Sequence, residues 1–231
     1  MAAKKESAPF AFPKEALTFF RGLEKDNSKA WFDAHRKDYD QNVLEPLKFM
    51  VMALGARLGG KKLPGLNADP RVNGSIFRIN RDTRFSKDKS PYKTHAGAYL
   101  WLGGREKLRA SGLYFQMDAR QVLIGCGIYL MQEPELSAYR RNVAEKMGGK
   151  LSVALKKAVD AGFTAGGEAL KKVPGGFDPN HKHAALLKQK GFFVTREYPA
   201  AMATKGDLIA FLAKEFTPAL DFVKVMHAAT M

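Results

Sequence analysis

A chain of 231 residues with 45% hydrophobic and 26% charged side chains has a globular make-up and excludes a disordered chain, while 21 Gly, 11 Pro and one Cys exclude collagen-like and disulfide-scaffold classes. Lys and Arg number 38 against 23 Asp and Glu, so the formal charge of +15 favours polyanions: nucleic acid, nucleotide or an acidic membrane surface. The length suits one large domain or two small ones, needing no metal or disulfide to hold a core.

Residues 1–9 read as a loose tail before a single domain over 10–231. The tail has no apolar run, so no secretory leader is expected. Cys126 has no disulfide partner, and the longest apolar stretch, Phe49 to Ala56, is too short for a bilayer. A cytoplasmic chain with no membrane partner is therefore expected.

Pro13 opens a pattern in which Ala16, Leu17, Phe20 and Leu23 recur at helical spacing. Asp26, Asn27 and Ser28 end it and offer an N-cap to a second helix carrying Trp31, Phe32, His35 and Tyr39. His35 reads there as a satisfied, partly buried histidine. Pro46 marks another start, with Leu47, Met50, Val51, Leu54 and Leu58 on one face and Gly59-Gly60 at the end. Residues 59–74 read as loop. The period then changes to two, and strands are predicted over 75–80, 95–102, 113–117 and 121–130. The last two form a hairpin turning on Asp118-Ala119-Arg120. In its second strand Val122, Ile124, Cys126, Ile128 and Leu130 share one face, and Leu123, Gly125, Gly127 and Tyr129 the other. Two glycines on one face either leave room for a ligand or a backbone, or mark a bulge.

Helices return over 133–147 and 151–159, followed by an irregular stretch over 160–182. A short helix over 184–190, a strand over 192–196 and a closing helix over 207–226, broken at Pro218, complete the chain. Helices, then strands, then helices make an α+β fold with a mainly antiparallel sheet of about four to six strands.

Chemistry concentrates between Ile76 and Thr94, which read IFRINRDTRFSKDKSPYKT. As a strand, this would turn Phe77 and Ile79 to the core and leave Arg78 reachable. Ser90-Pro91 reads as a helix cap and first helical position. Arg78, Arg81, Arg84, Lys87, Lys89 and Lys93 stand against Asp82 and Asp88, so residues 78–93 carry +4. Guanidinium groups grip phosphate or carboxylate in bidentate fashion, lysines add point charge, and aromatics such as Tyr92 stack bases. Equally, Asp82 and Asp88 can pair with these cations inside the fold.

The segment resembles the signature of domain-of-unknown-function family 2461, IFR-x-x-RDTRFSKDK-[ST]-PYKT, and meets every fixed position. Asp26-Asn27-Ser28-Lys29-Ala30-Trp31-Phe32 is similar to the family's N-N-x-x-x-WF element, with Asp26 replacing the first asparagine. Tyr114-Phe115, Gly125-Cys126-Gly127-Ile128-Tyr129 and the run from Asp178 and His181 to Leu186-Leu187-Lys188 also agree, with Lys182 where the family has proline. The resemblance covers roughly residues 12 to 226 and carries no agreed biochemical function.

Other motifs are weak. Ser86 with Lys89 and Ser90 with Lys93 match the S-x-x-K serine-acylase pattern but lack its companions. His181-Lys182-His183 lacks zinc-type spacing, and no metal or cofactor is expected. Gly125-Cys126-Gly127 lacks the third glycine of a dinucleotide fingerprint.

Three functional readings follow. In the first, Arg78, Arg81, Arg84, Lys87, Lys89, Tyr92 and Lys93 bind a small phosphate-bearing or other anionic ligand. Asp82, Asp88 or His181 would then do acid/base work, including phosphoester chemistry. In the second, the chain binds or cuts nucleic acid through a groove extended by Arg71, Arg105, Lys107 and Arg109. In the third, the motif is an internal ion-pair network of a non-enzymatic interaction or scaffold protein.

Overall fold

The computed structural model describes residues 9–231, so all of the expected tail except Pro9 lies outside the described residues. The N-terminal region is helical: α1 (Glu15–Lys25), α2 (Lys29–Ala34), α3 (Arg36–Tyr39) and α4 (Glu45–Leu58). The Ser28 hydroxyl accepts the Trp31 N–H at 3.1 Å and caps α2 as expected. Asp40–Leu44 forms a wider π-helical turn, which leads into α4 with Pro46 in its first turn, where a missing N–H is tolerated. The five apolar residues expected on one face of α4 are all buried.

Six strands follow: β1 (Leu66–Asn67), β2 (His95–Leu102), β3 (Gly112–Asp118), β4 (Gln121–Ile128), β5 (Thr164–Gly166) and β6 (Phe192–Pro199). They form one open sheet in the order β1-β2-β3-β4-β6-β5, with every neighbouring pair antiparallel. The remaining helices are α5 (Glu135–Asn142), α6 (Gly148–Asp160), α7 (Ala184–Leu187), α8 (Leu208–Phe216) and α9 (Leu220–Ala229). Pro218 lies in the 3-10 turn joining α8 to α9, as its broken pattern predicts. The fold is α+β. No helix among the described residues is long and apolar enough to cross a membrane.

The β4 alternation decides which face is core. Val122, Ile124, Cys126 and Ile128 are buried, and α9 packs on β4. α4 packs on β2, so N-terminal and C-terminal helices share one continuous hydrophobic cluster with this face. Leu123, Gly125 and Gly127 look the other way.

Several expectations need correction. Residues 75–80 are not a strand; they make only isolated bridges, Ile76 to Val72 and Ala98, and Asn80 to Tyr92. Ile76 and Ile79 both enter the core, three residues apart, which breaks the alternation and leaves Phe77 half-buried on the opposite face of β2. No helix starts at Ser90-Pro91. α5 runs through a π-turn, Val143–Met147, directly into α6. The short strands β1 and β5 carry too few residues to show a period.

Candidate ligand-binding site

The segment between Ile79 and Lys93 doubles back as an arm. The Arg81 N–H donates to the Pro91 carbonyl at 2.8 Å, and the Lys93 N–H to the Ile79 carbonyl at 2.8 Å. Residues 82–90 form the tip. At the root, Asn27 donates to the Tyr92 carbonyl at 3.1 Å and accepts the Tyr92 N–H at 3.0 Å. The Tyr92 ring is buried and stacks on Phe32 with centroids 4.1 Å apart. Tyr92 therefore anchors the arm to the N-terminal helices, which corrects its expected role as a ligand contact. Asp26, the family departure, accepts the Ser28 N–H at 3.0 Å and shapes the same corner.

The tip is braced by its own charges. Asp82 takes two hydrogen bonds from the Arg84 side chain, at 3.0 and 2.7 Å, and one from the Arg84 backbone N–H at 3.3 Å. Asp88 accepts the Ser90 hydroxyl at 2.6 Å and the Ser90 N–H at 2.9 Å, and pairs with Arg81. The Ser90 and Arg81 contacts hold the Asp88 carboxyl well below the usual range, and Arg84 does the same for Asp82. Carboxylates held this way are poor proton carriers near neutral pH. Solvent-exposed pairs of this kind shape a loop more than they stabilise a fold. Lys89 donates to the Thr83 carbonyl at 2.9 Å. Ser90 and Lys93 have separate partners, so the S-x-x-K reading gains nothing. Arg78 and Lys87 are exposed and make no ion pair among the described residues.

The root of the arm walls a cavity of about 530 Å³ on the face of the central strands opposite α4 and α9, where the 3-10 turn Lys107–Arg109 also lies. Gly125 and Gly127 form its floor, with Leu123 and Thr195 beside them. Phe77 and Lys93 stand over the floor from the arm, and Leu108 closes another side. The two glycines differ. Gly127 has φ of +123° and its missing Cβ would fall 2.4 Å from the Phe192 carbonyl oxygen, so only glycine fits. Gly125 has ordinary strand geometry, and a Cβ there would make ordinary contacts at 3.4 to 3.6 Å, so the glycine keeps side-chain volume out of the cavity floor. The ladders from β4 to β3 and β6 run through both glycines without an extra residue, so neither marks a bulge, and Gly127 is a close approach of backbone.

The cavity is polar at one end and aromatic at the other. Lys93 and His95 line it near the start of β2, with Gln116 accepting from the Tyr114 hydroxyl at 2.8 Å. Tyr129 and Phe193 stack at 5.8 Å at the other end. The register aligns Phe193, through Gly127 and Gly112, with Trp101, six residues along β2 from His95. At the usual strand rise, the two ends lie about 20 Å apart along the strand direction and are set three strands apart across the sheet. Burial, and then the Arg78 charge, lower the Lys93 pKa. Burial pushes the Tyr114 hydroxyl up to about 12. Cys126, at the back of the floor, is fully buried and its thiol is pushed up by burial, which makes it unreactive.

Burial also lowers His95 below the ordinary 6.5, Lys93 adds to the shift, and Asp118 opposes it. The folded chain thus binds fewer protons than the unfolded chain as pH drops through this region, so stability falls on acidification. His95→Asn is expected to flatten the loss that sets in as pH falls below about 6.5, measured by thermal unfolding. An unchanged slope would assign the effect to His183 and His227, which burial shifts the same way.

The remaining expected residues lie elsewhere. His181 sits before α7, where its Nδ1 accepts the His183 N–H at 3.1 Å. Its segment leads into the Phe192 end of β6, and the register sets that end opposite the His95 end of β2. His181 is therefore not brought together with the arm. Among the described residues no three His, Cys, Asp or Glu side chains gather as a metal site. Arg71 pairs with Asp69 at 2.6 Å, and Arg109 and Arg105 flank the buried Glu135 at 2.7 and 3.7 Å. Arg105 and Arg109 are thus engaged with a buried carboxylate, Lys107 donates to the Gly74 carbonyl and lies 4.2 Å over the Phe77 ring, and Arg71 pairs at the surface. Sequence reasoning missed His95, Gln116 and Phe193, although the face shared by Leu123, Gly125, Gly127 and Tyr129 pointed to them.

The family model described as "Conserved hypothetical protein (DUF2461)" matches residues 15–224. The chain belongs to this family. A search of the curated proteins finds no match. The DUF2461 match takes in the Asn27 corner, the arm and the cavity floor, so the family signature coincides with the segment that walls the cavity.

Proposed function

We propose that the protein binds a small amphipathic organic anion in the sheet-face cavity, its carboxylate or phosphate near Lys93 and His95 and its apolar part toward Tyr129 and Phe193. The observation that carries this reading is the polarity of the cavity: a cation at the walled end and an aromatic pair about 20 Å further along the strands. A volume of about 530 Å³ is in the usual range for small-molecule sites. Glycine in the floor and the arm as a wall give the space a defined shape. In this reading Arg81 and Arg84 brace the tip of the arm and do not grip the ligand. Asp82 and Asp88 are paired at the tip and do not line the cavity, so binding is favoured over phosphoester chemistry. The internal ion pairs support a structural role for the arm as well, and the two roles are compatible.

The test is thermal unfolding with aryl carboxylates, medium-chain alkyl carboxylates, aryl phosphates and inorganic phosphate. A native-state ligand at a hundred times its Kd adds about 2.7 kcal/mol. Amphipathic anions are expected to raise the midpoint, and their neutral amides and inorganic phosphate are expected not to. A rise with inorganic phosphate alone, or with none of the compounds, would overturn the reading.

A further inference from the structure

We infer that the tip of the arm is a second site, separate from the cavity, which contacts single-stranded nucleic acid: Phe85 stacks on a base while Arg84, Lys87 and Lys89 meet phosphates. Phe85 is the most exposed large apolar side chain among the described residues, at 95%. It is held out by a built turn. The Ser86 N–H donates to the Thr83 carbonyl at 3.3 Å, and the Arg84 N–H to Asp82 at 3.3 Å. The backbone on both sides of the ring is therefore tied, and the ring is presented to solvent with little left to order on binding.

The charge around it is one-sided. Both carboxylates of the tip are engaged with Arg84 and Arg81, so neither stands free to repel an anion. Lys87 is exposed without an ion pair among the described residues, and Lys89 is held by the Thr83 carbonyl, which leaves its charge uncompensated. The Arg84 guanidinium lies 5.7 Å from the Phe85 centroid, over one face of the ring. The other face is open. An exposed aromatic among backbone-tracking cations is the arrangement that binds unpaired bases with little sequence preference. A duplex hides its bases in the stack, so it cannot use Phe85 this way. A lipid surface fits less well. One ring and a few lysines give marginal membrane attachment, and insertion would carry the Asp82 and Asp88 pairs into the interface.

The experiment is fluorescence anisotropy of a short labelled oligothymidine with the full chain at low salt. A matched duplex and phosphatidylserine-containing vesicles serve as parallel arms. Single-strand binding that weakens as salt rises is expected. Phe85→Ala is expected to weaken it about tenfold with the salt slope unchanged, and Phe85→Trp to restore it. Lys87→Ala is expected to reduce the slope. Phe85 is so exposed that Phe85→Ala keeps the wild-type unfolding midpoint, so loss of binding is not loss of fold. Absence of binding at low salt would overturn the inference. So would wild-type binding by Phe85→Ala, preference for the duplex, or vesicle binding in place of oligothymidine binding. A Gly125→Val chain is expected to keep oligothymidine binding, so failure of the cavity reading and failure of this one are separate results.

Discussion

Gly125→Val is expected to weaken small-anion binding in the cavity about tenfold or more while leaving the unfolding midpoint unchanged or slightly raised. The strand geometry at Gly125 accepts an L side chain, and a Cβ there would meet Tyr114 at 3.4 Å, Thr195 at 3.5 Å and the Val194 carbonyl at 3.6 Å, all ordinary contacts. Valine also suits a central strand. Its methyl groups would occupy the floor between the cationic and aromatic ends. Forcing extra methyl groups into space a ligand needs costs about 1–3 kcal/mol, so affinity should fall about tenfold or more. Calorimetric titration with the best amphipathic anion, set beside thermal unfolding, separates the two effects. Wild-type affinity in Gly125→Val would remove the cavity as the binding site. Gly127→Ala makes the contrast: its φ of +123° and the 2.4 Å approach to the Phe192 carbonyl predict damage to the fold itself.

Asn27→Ala is expected to destabilise the protein by about 2 kcal/mol, through the loss of two part-buried hydrogen bonds and the stranding of the Tyr92 N–H and C=O. For a chain of this size that corresponds to a fall in Tm of about 4–8 °C. The variant touches no cavity residue. It loosens the root of the arm, from which Lys93 and Phe77 reach the ligand, so affinity should fall as well. Asn27→Asp retains an acceptor for the Tyr92 N–H but sets a carboxylate against the Tyr92 carbonyl, and it should not rescue. Denaturant unfolding measures the change. A cost under about 0.5 kcal/mol would mean that water replaces the amide and that the clamp is not what positions the arm.

The elements that were legible in the sequence are those with enough residues to show a period. α1, α4, β2 and the β3–β4 hairpin stand where spacing, caps and turn residues put them, while the helix expected from Ser28 through Tyr39 starts at its cap but breaks at His35 into α2 and α3. The 76–94 segment misled because its pattern of apolar and charged residues imitates a strand. Its backbone instead bonds once to β2 and then to itself, and a single sequence does not reveal which partner wins. Charge misled in the same way. Arg81 and Arg84 suit an anionic ligand, Asp82 and Asp88 suit acid/base work, and all four suit one another; only their distances show that they pair.

Residue order by itself determined the α+β class, the two faces of β4, the cap at Ser28 and the unusual density of charge in the arm. These depend on neighbours within a few residues, through backbone periodicity and local hydrogen bonds. The tertiary structure alone decided that Asn27 clamps Tyr92, that Phe77 and Lys93 meet Gly125 across a cavity, and that His95 belongs to it while His181 does not. Those pairings join residues tens of positions apart. They form because burying the helix-facing side of the sheet leaves its opposite face to the arm, an outcome of the whole core and not of any local pattern.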